Sequence, residues 1–236
     1  MRRNIEDFEL LNTASQLRRA AMHAFDYYRG AIALADCQSI VEESYELLGQ
    51  TAVIKAHLVA LADRWSIERL RRVGILDNRL GRTAPEVLFV DLDDSGPAAT
   101  AAALLAGYAR GRVNTSSAGQ KPAAGTDPAL VRVAADAGLD LTEVFAKAVT
   151  REALQVADVV ITLGPASLDP EYLAVPESTA DGQPAVGRHR RVLHWDLPVL
   201  DDQPDDVIRA AIDDLDRRVL GLLVELLTPA ERSPDQ

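Results

Sequence analysis

Apolar side chains recur at three- and four-residue steps through the first third of the chain. Leu17, Ala21, Ala24, Phe25 and Tyr28 form one stripe. Ile40, Val41, Ser44, Tyr45 and Leu48 form a second, and Ile54, Leu58, Leu61 and Trp65 a third. This spacing predicts three amphipathic helices. Thr13 or Ser15 is expected to cap the first, Asp36 the second, and the third is expected to run from about Thr51. Such a bundle buries little by itself, so packing on the second domain or on another copy of the chain is expected.

The period changes after the breaker-rich stretch 74–85, which holds Gly74, Gly81 and Pro85. The continuous apolar runs Glu86 to Val90 and Asp158 to Thr162 read as strands buried on both faces, with Arg112 to Ala118 and Val192 to Trp195 as two more. Helices are expected over Pro97 to Arg110, Pro128 to Ala137 and Asp205 to Leu227. Strands alternating with helices predict a parallel sheet covered on both sides. The expected organisation is a helical domain over 1–80, an α/β domain over 85–228 and a flexible tail over 229–236. Residues 164–191 are rich in Gly, Pro and Ser and long for a loop, so they read either as a surface excursion near a site or as a partly mobile segment.

Charge sharpens that division. The chain carries 25 basic and 36 acidic residues, net −11. Residues 1–80 hold 11 of each sign, so the whole excess lies in the second part. An acidic protein is a poor match for nucleic acid or an anionic membrane, and neither is expected as a partner. The apolar runs fall short of the roughly 20 residues a membrane span needs. The start of the chain turns acidic at Glu6 and Asp7, unlike a secretion signal, so a cytoplasmic protein is expected. The single cysteine, Cys37, excludes a disulfide framework and any site built from several cysteines.

In parallel sheets of this kind, ligands gather where the first strand meets the first helix. That turn reads Asp91-Leu92-Asp93-Asp94-Ser95-Gly96-Pro97. The strand before it, the helix with Ala101 to Leu105, Ser117-Ala118-Gly119, Ala157 to Gly164, Trp195-Asp196-Leu197-Pro198 and the closing Asp213 to Arg218 follow one another in a known order. Together they resemble the low-molecular-weight protein tyrosine phosphatases and their thiol-linked arsenate reductases. Val41 to Tyr45 and Ala62 to Trp65 resemble a three-helix domain fused ahead of some actinobacterial-type members. The resemblance implies a flavodoxin-like, four-stranded parallel sheet with helices on both faces, preceded by a small three-helix bundle.

It also implies a loop of Cys, five residues, Arg and Ser. Here the Cys position is Asp91, the Arg position Pro97 and the Ser position Ala98. The general acid, expected after Trp195-Asp196-Leu197-Pro198, falls on Val199, and Asp201 or Asp202 could replace it only after a local shift. Cys37 lies in the helical part, with Glu43 six residues on, so it cannot stand in as the nucleophile. Losing the nucleophile of a concerted site costs several powers of ten, because its parts act as a unit. Carboxylates at 91, 93 and 94 also repel a dianion, by about 4 kcal/mol per pair at 4 Å and an effective dielectric of 20.

Three readings of the loop follow. In the first, the Asp91 carboxylate takes the place of the thiolate and the substrate charge, Ser95 or Gly96 caps the helix, and Pro97 fills its first turn; the ligand-facing set is Asp91, Ser95 and Gly96. In the second, Asp91, Asp93 and Asp94 hold magnesium or calcium. In the third, Val90 to Ser95 resembles the first motif of haloacid-dehalogenase-like phosphatases, with Asp91 as nucleophile, Asp93 as acid/base and magnesium assisting. That chemistry also needs a lysine after the third strand, where Thr162 would be the second-motif hydroxyl, yet the only lysines are Lys55, Lys121 and Lys147.

The expected function is a catalytically inactive relative that binds, scaffolds or regulates, with no cofactor, and that self-associates or meets a partner through its helices. The alternatives are an active phosphatase or arsenate reductase of modified mechanism, or the magnesium-dependent enzyme using Asp91 and Asp93. His23, His57, His189 and His194 do not cluster in sequence, Trp65 and Trp195 read as core, Arg188, Arg190 and Arg191 form a basic knot that either balances nearby carboxylates or holds an acidic partner segment, and Lys121 reads as a solvated loop residue.

Overall fold

The computed structural model describes residues 2–53, 57–168 and 190–228, with only the backbone course given for 2–11. The chain divides into two compact units. One contains residues 1–82 and 147–156. The other contains 83–146 and the described parts of 157–170 and 189–236.

The helical unit consists of α1 (Arg2–Tyr27), α2 (Leu34–Gly49) and α3 (Leu58–Leu76), joined by a short helix from far along the chain, α6 (Arg151–Val156). No breaker separates Arg2 from Tyr27, so α1 starts well before Thr13 and Ser15, and both lie inside it. It ends where Arg29 and Gly30 turn left-handed and the Gly30 N–H bonds back to the Phe25 carbonyl. Ala33, rather than Asp36, is the N-cap of α2, and Asp36 adds its negative charge to the first turn. The third helix begins at Leu58; Ile54 lies outside the described residues. Ala21, Ala24, Ile32, Cys37, Val41 and Leu70 close the core, each with no exposed surface.

Residues 147–156 pack with this unit, so the α/β unit is not the continuous 85–228 span that the pattern predicts. Charge holds them there. The Arg69 guanidinium on α3 donates to Glu152 of α6 at 2.6 Å, to Glu43 of α2 at 2.9 Å and to the Ser44 hydroxyl at 3.1 Å. It also lies 5.1 Å from the centre of the Trp65 ring.

The second unit runs β1 (Glu86–Asp91), α4 (Pro97–Ala109), β2 (Asn114–Gly119), α5 (Pro128–Asp136), β3 (Val159–Leu163), β4 (Arg191–Trp195) and α7 (Asp205–Leu227). The sheet order is β2-β1-β3-β4 and every pairing is parallel. Strand alternation turns Val87, Phe89, Val159, Ile161 and Leu163 to one face, where they pack against Leu105 of α4 and Leu215, Val219 and Leu222 of α7. Leu130, Val133 and Ala134 of α5 form a second cluster with Ile208 and Ile212 of α7. In this order the chain leaves β1 and β3 to opposite sides, which opens a crevice at their carboxyl ends. Most of the 164–191 excursion and the 229–236 tail lie outside the described residues. No helix among the described residues is long and apolar enough to cross a membrane.

Candidate functional site

At the carboxyl end of β1 the Asp91 side chain turns back onto its own loop. One carboxylate oxygen accepts from the Asp94 N–H at 2.5 Å, and the other from the Ala98 N–H, in the first turn of α4, at 2.9 Å. Gly96, the N-cap of α4, has no side chain with which to cap; Asp91 performs that role from five residues upstream, and Ser95 makes no capping bond. Pro97 sits in the first turn, where its missing N–H costs nothing. The Asp93 carboxylate bonds the Ser95 N–H at 3.0 Å.

The loop is fastened from outside as well. Leu92, Asp93 and Ser95 carbonyls accept from the Lys121, Ala123 and Asp127 N–H groups, each at 2.8 Å. Gly119 makes this contact possible: a Cβ there would fall 2.5 Å from the Asp93 carbonyl carbon and 2.6 Å from the Asp94 nitrogen. Asp94, fully buried, takes a left-handed backbone at φ 53.

Burial pushes the Asp91 carboxyl up to about 7. The nearby Asp94 and Asp93 charges push the same way, while the two backbone N–H bonds oppose them. The amides therefore hold the group in place without fully offsetting its loss of water.

In front of Asp91 opens a cavity of about 70 Å³. Leu92, Asp93, Ser95, Gly96 and Pro97 line it from the loop, and Leu197, Pro198, Val199, Leu200 and Asp201 from the segment after β4. The two stretches that the sequence singles out therefore meet at one site. Asp94 lies buried beneath the loop. Asp196 does not line the cavity; its carbonyl accepts from Arg218 at 3.2 Å. Asp127 and Leu130 at the start of α5, and Leu163, Gly164 and Pro165 at the exit of β3, line the cavity without having been expected to. Their position at strand ends and at an Asp-Pro helix start was the available signal.

The remaining candidates lie elsewhere. Cys37 is buried in the helical core and burial raises its thiol pKa, the opposite of an activated nucleophile. His23 meets Asp63, and His194 meets the Thr162 hydroxyl at 2.9 Å; His189 and Arg188 lie outside the described residues. Trp65 and Trp195 are buried. Arg191 pairs with Glu225, and Lys121 is exposed. Among the described residues, no three His, Cys, Asp or Glu side chains are arranged to hold a metal ion; the carboxylates of Asp91 and Asp93 are turned onto backbone N–H groups.

A four-stranded parallel sheet with its crevice at the β1–α4 turn, preceded in sequence by three helices, defines a doubly wound α/β class, and comparison narrows it. Residues 17–74 match the protein-tyrosine-phosphatase-like N-terminal domain, and residues 86–174 match the low molecular weight phosphotyrosine protein phosphatase family. The α/β unit is thus homologous to the low-molecular-weight phosphatases, and the helical unit to the phosphatase-like N-terminal domain. Among solved structures, it is similar to a thioredoxin-dependent arsenate reductase of Corynebacterium glutamicum, at 27% identity and a TM-score of 0.71, over 89% of this chain and 96% of that one. An arsenate reductase in its phosphate-binding state shares the fold of the α/β unit, at 19% identity and a TM-score of 0.50, over 60% of this chain and 98% of that one.

Proposed function

We propose that this chain is a binding or regulatory member of its family that performs neither phosphoryl transfer nor arsenate reduction. The observation that carries this reading is the double hydrogen bond of Asp91. Its carboxylate engages the Asp94 and Ala98 N–H groups at the mouth of the sheet, where the family's loop would present amides to an oxyanion. No thiol is available at the loop, because the one cysteine is in the helical core. No guanidinium is available from Pro97, and Val199 offers no proton. A bound oxyanion would have to displace Asp91 and then meet Asp93, which lines the cavity.

The Asp-nucleophile alternative fares no better. That chemistry needs a lysine after the third strand, which the sequence lacks, and each Asp91 oxygen already holds a backbone N–H. We further read the helical unit as a second partner-facing part, through self-association or another protein, because α1 leaves Met22 and Tyr27 exposed. We also propose a cytoplasmic location, where a lone unpaired cysteine such as Cys37 is ordinary.

The test is an assay of the purified full chain with an aryl phosphate, with and without magnesium, and with arsenate plus a thiol reductant, using Asp91→Asn as control. Turnover at the level of buffer in every arm is expected. Turnover that requires magnesium and Asp91 would instead establish the Asp-nucleophile enzyme.

A further inference from the structure

The cavity in front of Asp91 persists although its oxyanion-holding groups are gone, and its walls have a definite chemistry. Leu92, Pro97, Leu130 and Leu197 give it apolar sides. Asp93, Asp127 and Asp201 line it from three separate segments; Asp93 and Asp127 each commit Oδ1 to a backbone N–H, of Ser95 and Ala129, which leaves the second oxygen of each to meet a cation. We propose that this cavity binds the basic side chain of a partner polypeptide, an arginine whose aliphatic stem lies on the apolar walls and whose guanidinium meets the three carboxylates. This rests on the binding role proposed above and names the chemistry of the partner.

Three observations carry it. The cavity, at about 70 Å³, has room for several water-sized groups, which suits one side-chain head rather than a large ligand. Its sign is opposite to that of an oxyanion site. Burial raises the Asp201 pKa, and every charged group that adds to the rise is an acid: Asp93, Asp127 and Asp202. A cation docked among them relieves that repulsion, and a planar guanidinium can bridge separate carboxylates. The mixture of apolar wall and acidic edge matches a side chain with a carbon stem and a charged tip.

Titrating the full chain with the capped tripeptide acetyl-Gly-Arg-Gly-amide, followed by chemical shifts or calorimetry, tests the proposal. Saturable binding at millimolar peptide, weakening as salt rises, is expected. Asp201→Asn and Asp127→Asn should each weaken it about fivefold. Both variants are expected to fold, since residue 201 lies in an exposed turn and Asn at 127 still caps α5. Absence of saturable binding would overturn the proposal, as would equal binding of a norvaline peptide or unchanged affinity in both variants. Free arginine binding as tightly as the peptide would overturn the assignment to a polypeptide. Turnover in the activity assay would end the binding role itself, whereas an inactive chain that ignores the peptide would end only this inference.

Discussion

Arg69 in the helical unit and Asp91 in the α/β unit are both ionisable groups taken out of water, and they are held in opposite ways. Arg69 is 1% exposed and meets two carboxylates, a hydroxyl and an aromatic face. Asp91 is 5% exposed and meets only backbone N–H groups, with two more acids beside it. Their acids record the difference. Burial pushes the Glu152 carboxyl upward, but the Arg69 charge and hydrogen bonds outweigh it, and the group titrates below its ordinary range. The same burial at Asp91, aided by like charges, drives the carboxyl up to about 7. A full opposite charge compensates for lost water where two amide dipoles do not.

Removing the cation in the first arrangement has the largest expected effect. Arg69→Met leaves Glu152 almost buried and without its counter-charge, with a side chain only 12% exposed. A loss of about 3–5 kcal/mol in urea unfolding is expected. Hydrogen exchange should quicken first in residues 151–156, which this cluster ties to α3. Arg69→Met with Glu152→Gln should recover part of the loss, because the second change removes the stranded charge. An Arg69→Met variant as stable as the parent would mean that apolar packing alone holds α6.

The second arrangement is tested through pH. Asp91 binds its proton more tightly in the fold than in the unfolded chain, where a carboxyl titrates near 3.9. Its contribution is therefore fully present below about pH 4 and is lost as pH rises through about 7. Across that window the stability of the parent should fall relative to Asp91→Asn by up to about 4 kcal/mol. Denaturant titrations of both proteins at intervals from pH 4 to 8 measure it. Parallel pH profiles would show that Asp91 is solvated or paired after all, and the contrast with Arg69 would collapse.

The sequence was informative about the scaffold around these groups and silent about how they are held. Apolar runs such as Glu86 to Val90 announce buried parallel strands because burial on both faces removes the alternation that other strands show. The β1–α4 loop was legible as a candidate site because a strand-to-helix turn has few places to put its residues, and Asp91 falls at the strand end. Two things were hidden. Helix α6 is six residues long, too short to show a period, and its place depends on a salt bridge 83 residues apart in sequence. Gly96 is the N-cap of α4, one of the two residues that local spacing offers, but the carboxylate that serves its first turn comes from Asp91, which reaches it because the loop folds back over Gly119.

The smallest expected effect separates the two acids of Arg69. Glu43 and Glu152 approach the same guanidinium at similar distances, 2.9 and 2.6 Å, yet the Glu43 side chain is 53% exposed against 12% for Glu152. Water screens the first pair and barely reaches the second, so equal geometry should not give equal energy. Glu43→Gln is expected to cost less than about 1 kcal/mol, and less still in high salt. Glu152→Gln should cost about 1–3 kcal/mol with little dependence on salt, because a neutral amide replaces a buried charged acceptor. Paired urea titrations at low and high ionic strength measure both. If Glu43→Gln proved the costlier change, exposure would not be what ranks these bonds, and the explanation for why Glu152 and Asp91 titrate in opposite directions would have to shift from burial to the detailed path of each hydrogen bond.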